Sequence, residues 1–218
     1  MPCNISQELK RKLFHLLSLF FPATVVFLEK FYALALFSLL FISILLVEFL
    51  RFKILRNQDR ADRSKTSLII DRILGFFATI MRPEEISGKK PLGITYLVTA
   101  SIICFAFFDT KIAVIAFVIL AIADANAAII GKSFTSGKFF AKSRLGSLAF
   151  FISAVLISIA GHYAIDGSMS LLIIFIIATF FITFIEACNI GPDIDDNLTI
   201  PLGFCISVSL LNYVVSYI

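Results

Sequence analysis

The chain has 218 residues, of which 59% are apolar and only 16% charged, and its mean hydropathy is +0.97. That balance excludes an ordinary soluble domain, the net charge is +4, and no nucleic-acid partner is expected. The composition is that of an integral membrane protein.

The first apolar stretch, Leu13 to Leu28, is short and contains His15 and Pro22, yet its Phe and Leu content favours a span. Lys10, Arg11 and Lys12 before it give it the look of a signal peptide, but no small-residue cleavage site follows, so it is expected to stay as a helix. In "ELKRKLFH" a helix presents Glu8, Arg11, Lys12 and His15 on one face, and a mere positive anchor needs no histidine one turn into the apolar phase. Phe31 to Leu50 is the second span. Ser67 to Met81 is apolar but only 15 residues long, with Asp71, Gly75, Thr79 and Arg82 at helical spacing; it is expected to lie in the interface or dip partway in.

Five further spans follow: Leu92 to Phe108, Ile112 to Ile130, Gly146 to Tyr163, Met169 to Cys188 and Leu198 to Ile218. With about seven spans, all 19 basic residues except Lys30 and Lys111 fall on one side, which the positive-inside bias makes the cytoplasm. The expected fold is a single all-α polytopic domain over residues 1–218, with its N-terminus cytoplasmic and one added interfacial helix. A prokaryotic plasma membrane is the expected location. Cys3, Cys104, Cys188 and Cys205 are scattered, so neither a disulfide framework nor a metal cluster is expected.

Ionisable groups inside or at the ends of spans carry the functional reading, because burying them costs several kcal/mol by most scales. Asp124 precedes Ile130 by six residues, about 9 Å inside its helix at 1.5 Å per residue. Ala127, Ala128 and Gly131 share its face and allow close approach. The loop "GKSFTSGKFFAKSRLG" runs Lys132, Lys138, Lys142 and Arg144 into the next helix, the mixture of backbone N–H, helix start and cations that cradles phosphate. It is not the nucleotide P-loop, because GxxxxGK[ST] does not occur.

The last cluster, "GPDIDDNLTIP", places Asp193, Asp195 and Asp196 before the final span, with Glu186 near the end of the previous one. One carboxylate suffices to cap a helix. Three of them with Glu186, opposite Asp124 and a basic loop, suit Mg²⁺, which takes one or two carboxylates plus phosphate oxygens.

These pieces resemble the dolichol kinase, phytol kinase and CTP-dependent diacylglycerol kinase family. The matching stretches are "ELKRKLFH", "VEFLR", "RPEEISGKKPLGITYL", "ADANAAIIGKSF", "SRLGSLAFF" and "EACNIGPDIDDNLTIPL", in order along nearly the whole chain. The resemblance implies transfer of the terminal phosphate of CTP, with Mg²⁺, to a membrane lipid alcohol: a polyprenol or dolichol, a phytol-like isoprenoid or a diacylglycerol. It places the family's basic pair on Arg11 and Lys12, its helix-borne acid on Asp124, the following glycine on Gly131, and its acidic motif on Asp195, Asp196, Asn197 and Thr199. Ala123-Asp124-Ala125 stands where the family has Gly-Asp-Pro or Gly-Asp-Thr.

The expected metal ligands are Asp124, Asp195, Asp196 and Glu186. The expected phosphate-binding set is Arg11, Lys12, Gly131, Lys132, Lys142, Arg144, Asn197 and Thr199. Asp124 and Asp196 are expected to be catalytic, and His15, Glu48 or an aspartate to take the lipid's proton. A cytidylyltransferase or other lipid-phosphate transferase needs similar groups, but the spaced aspartates of the CDP-alcohol transferases are missing. An ion-coupled transporter needs ionisable groups near the midplane, whereas here they lie near the cytoplasmic ends.

Overall fold

The computed structural model describes residues 15–57, 83–134, 137–188 and 194–217. A 3₁₀ turn, Leu16–Leu19, leads into α1, Phe20–Phe27, and then α2, Lys30–Asn57. After α3, Pro83–Ile86, come α4, Gly93–Phe107, and α5, Thr110–Ser133. Strands β1, Lys138–Phe139, and β2, Lys142–Ser143, form an antiparallel hairpin, and α6, Arg144–Ala164, α7, Met169–Cys188, and α8, Asp196–Val215, complete the order.

Among the described residues, α2, α5, α6, α7 and α8 are long and apolar enough to cross a membrane. The chain is therefore an all-α polytopic membrane protein. The first and third expected spans are the shorter apolar helices Leu16–Phe27 and Gly93–Phe107. The expected interfacial helix Ser67 to Met81 lies outside the described residues.

Local chemistry sets the helix starts. Asp109 accepts from the N–H groups of Lys111 and Ile112 at 2.9 and 3.3 Å, opening α5. Ser143 accepts from Gly146 at 3.0 Å, so α6 begins at Arg144 rather than near Gly146. Asp195 accepts from Asn197 at 3.0 Å, so α8 begins at Asp196. Each cap satisfies N–H groups that the helix itself leaves without partners. Within the spans, Thr24, Ser38, Ser43, Thr99 and Thr183 return their hydroxyl protons to the carbonyl four residues back, as lipid surroundings require.

Helix α5 is the axis of the bundle: 61% of its most apolar window is buried, against 17% for α2. It is covered by α6, α8, α4 and the α1 segment, while α2 leans mainly on α4. Phe105 and Phe117 stack at 5.4 Å and Phe21 meets Phe37 edge-on at 5.0 Å, tying α4 to α5 and α1 to α2. Ser158 and Thr179 share a buried hydrogen bond of 2.9 Å between α6 and α7.

The tightest contact is α5 on α6. A Cβ at Gly146 would lie 3.0 Å from the Ala127 carbonyl oxygen and 3.3 Å from Gly131 Cα, both backbone atoms that cannot step aside. Small residues here let the two backbones approach, as in other membrane helix pairs. Gly146→Leu is expected to lower stability by about 1–3 kcal/mol through overpacking, read as a drop in the thermal unfolding midpoint in detergent. An unchanged midpoint would show the helices to be looser than this.

Candidate functional site

The helices alternate in direction, so the start of the α1 segment, the end of α2, the starts of α4, α6 and α8 and the ends of α5 and α7 share one face of the bundle. Ionisable groups gather there. Asp124, 6% exposed on α5, has Oδ2 3.3 Å from His15 Nε2, and the same nitrogen lies 3.3 Å from the Leu120 carbonyl oxygen. With a carboxylate and a carbonyl both facing Nε2, that nitrogen is the one that carries the proton.

Lys142 enters from the hairpin. Its ammonium lies 2.9 Å from Asp196 Oδ2 on α8 and 3.1 Å from Glu186 Oε1 on α7. Ser147 Oγ lies 3.5 Å from the other oxygen of Glu186. The hairpin is held in place by its own register, Lys138 opposite Ser143 and Phe139 opposite Lys142, and by the Ala141 N–H donating to the Ala187 carbonyl at 3.0 Å. Burial pulls the Lys142 pKa down, but the negative charges of Asp196, Glu186 and Asp124 and the hydrogen bond to Asp196 outweigh it and hold the ammonium above its ordinary range.

A raised folded pKa gives stability that is complete below the unfolded value of 10.5 and is lost as pH rises through the folded value. The contribution of Lys142 is thus expected to be undiminished by rising pH up to about 9. Lys142→Met leaves Glu186, 2% exposed, without its cation. The expected cost is about 2–3 kcal/mol, at the low end for a broken buried pair because Lys142 is partly exposed. Thermal unfolding checks it, with Glu186→Gln added to the same chain restoring much of the loss; no recovery would mean that the lysine acts through packing alone.

A second ionic cluster closes the same face. Arg51 on α2 pairs with Glu48 and donates to the carbonyls of Glu85 and Lys90, the latter at 2.9 Å. Glu48 Oε1 accepts from the Leu92 N–H and from Thr95 Oγ1, the latter at 3.1 Å. Glu85 accepts from the Gly93 N–H at 2.9 Å, and Asn197 Nδ2 donates to the Gly93 carbonyl at 3.2 Å. A chain of contacts thus runs from α2 through the start of α4 to α8, beside Asp196. Arg51 and Glu85 escaped the sequence reading, although Glu48 and Arg51 stand three apart in "VEFLR", the spacing of a helical ion pair.

The structure revises several expected placements. Lys132 lies in the last turn of α5, not in the phosphate-cradling loop, because the helix continues to Ser133; Gly131, expected both on the Asp124 face and in the phosphate-binding set, meets Gly146 on that face. Glu48 is committed to Arg51, Leu92 and Thr95, which makes it a poor general base. Asp195 is the cap of α8, Asn197 holds Gly93, and Thr199 lies half-buried in the first turn of α8 with its N–H on the Asp195 carbonyl. Arg144 opens α6, exposed, and donates from Nε to the Lys138 carbonyl at 3.3 Å. Cys104 on α4 and Cys205 on α8, scattered in sequence, are buried free thiols. Arg11, Lys12 and Asp193 lie outside the described residues.

For Mg²⁺ the donor chemistry fits in part. Glu186 and Asp196 already share one cation, the Lys142 ammonium, whose charge also feels Asp124. Among the described residues no three His, Cys, Asp or Glu side chains close into a ligand set of their own. That suits an ion bound by one or two carboxylates and completed by phosphate oxygens.

The fold and this face define a class, a helical polytopic membrane protein with a buried ionic site at one end of its bundle. Over 209 residues, 95% of this chain and 96% of the relative, it is 31% identical to a protein of Rickettsia prowazekii (strain Madrid E) described as uncharacterized. The chain belongs to the same family as that protein. No family model and no solved structure matches it.

Proposed function

We propose that the chain is a CTP-dependent lipid alcohol kinase, acting at the cytoplasmic face on a polyprenol, a phytol-like isoprenoid or a diacylglycerol. The observation that carries this reading is the convergence of Glu186 and Asp196 on the Lys142 ammonium, with the Asp124–His15 pair on the same face, at the ends of apolar helices where a polyphosphate would meet the bilayer. The resemblance of its motifs to the dolichol and phytol kinases supports the donor and acceptor classes.

In this reading Asp124, Asp196 and Glu186 would hold Mg²⁺, with Asp195 kept beside them by its capping role. The chemistry a bound Mg²⁺ would supply is neutralisation of the charge that develops on the phosphates during transfer. Lys142, with Arg11 and Lys12, would offset the charge of the nucleotide. The lipid hydroxyl arrives sideways from the bilayer. Asp124 accepts the hydrogen bond from His15 Nε2, and His15 would take the hydroxyl proton while the alkoxide oxygen bonds to the γ-phosphorus and the bond to the β-phosphate oxygen breaks. The products are the lipid monophosphate and CDP.

Purified protein in detergent with Mg²⁺ and γ-labelled CTP or ATP, offered each acceptor separately, tests this. Label passing from CTP into one lipid is expected. Release of pyrophosphate or CMP instead would replace the kinase by a cytidylyl or phosphoalcohol transferase.

A further inference from the structure

We propose that the β1–β2 hairpin is a membrane-surface anchor, with an aromatic tip that enters the headgroup region and cations that select anionic lipid. Phe139 and Phe140 pack edge to face at 4.9 Å and both meet Phe184 of α7, at 6.0 and 6.1 Å. Phe184 continues to Phe180 at 5.1 Å along a side of α7 where these rings are exposed. An unbroken aromatic strip therefore passes from the lipid-facing wall of α7 onto the hairpin.

The tip itself is left uncovered. Phe140 is 58% exposed and has a φ of 53°, a conformation that glycine or asparagine adopts at lower cost. An exposed ring on such backbone contributes little to packing within the chain. It gains burial when the ring sits in the interfacial layer, where aromatic side chains concentrate. Lys138 before the tip and Arg144 after it are exposed cations, joined by the Arg144 hydrogen bond to the Lys138 carbonyl. Positive charge beside inserted aromatics complements a leaflet rich in anionic lipid.

The occupant is the bilayer rather than a protein partner, because the strip continues down a helix wall that lipid already covers. The hairpin's other edge faces inward, through Lys142 and the Ala141 bond to Ala187. The anchor thus lies between the lipid surface and the ionic site.

The chain has no tryptophan, so Phe140→Trp introduces a single reporter. In nanodiscs of phosphatidylcholine brominated high on the acyl chain, its emission is expected to be blue-shifted and quenched. Adding phosphatidylglycerol should at least double the quenching, and Lys138→Glu or high salt should remove the increase. Emission of a water-exposed indole, or quenching indifferent to phosphatidylglycerol, would overturn the proposal. Hydrogen exchange of residues 137–143 in the wild-type protein gives an independent reading should the variant fold poorly. Exchange about fivefold slower in anionic than in neutral nanodiscs is expected, the effect of one basic residue at such a surface; equal rates in both would also overturn it. Neither readout involves nucleotide, so the anchor stands or falls separately from the kinase reading.

Discussion

Asp124→Asn is expected to reduce phosphate transfer from CTP to lipid by at least about 100-fold while leaving the bundle folded. The two side chains have nearly the same shape, so the α5 packing around a site only 6% exposed is preserved. What disappears is a negative charge. The His15 Nε2–H loses its anionic acceptor, and a divalent cation would lose one anionic ligand. Lys142 still has Glu186 and Asp196, so its position is expected to hold. The informative comparison is turnover against thermal unfolding in the same preparation. Loss of turnover with an unchanged midpoint assigns Asp124 to the chemistry. A collapse of both assigns it to the fold, and undiminished turnover would end its role in the reaction.

Arg51→Met is expected to have the largest effect on stability, about 3–5 kcal/mol. The substitution keeps most of the apolar stem but strands the Glu48 carboxylate, 5% exposed, and removes the donor to the carbonyls of Glu85 and Lys90. Arg51→Lys is expected to rescue little, because a point ammonium cannot reach three acceptors that a planar fork serves together. Glu48→Leu combined with Arg51→Met should recover part of the loss by removing the stranded charge. Thermal unfolding of the single and double variants in detergent checks the cycle. Additive losses would mean that the two residues act independently, against the geometry seen here.

Much of the fold was legible because lipid makes simple demands on sequence. Long apolar runs could be read directly as α2 and α5 to α8, and the polar residues interrupting them marked the ionic face. Asp124, Glu186 and Asp196 were legible as buried or capping acids, but their common partner was not singled out. Lys142 was one of several lysines in a loop, and only the hairpin's register turns it, rather than Lys138, toward the carboxylates. Gly131 was legible as a place of close approach on the Asp124 face of α5, but its partner Gly146 was not. In a membrane bundle the same residue fits inside a helix wherever a second backbone comes close. The Arg51 clamp depends on two backbone carbonyls some forty positions away in the chain, a pairing that spacing alone does not reveal.

The light burial of α2 has a consequence for how its sequence can change over time. Most of its length faces lipid, so any apolar residue of modest size serves there, and its exposed positions are free to drift among Leu, Ile, Phe and Val. Glu48 and Arg51, on the same helix, have no such freedom, because they fasten it to the start of α4. Such a helix has a replaceable outer wall on a fixed inner seam. Exchanging its lipid-facing residues for other apolar ones should leave a folded protein, so long as Ala33, Phe37, Glu48 and Arg51 are kept.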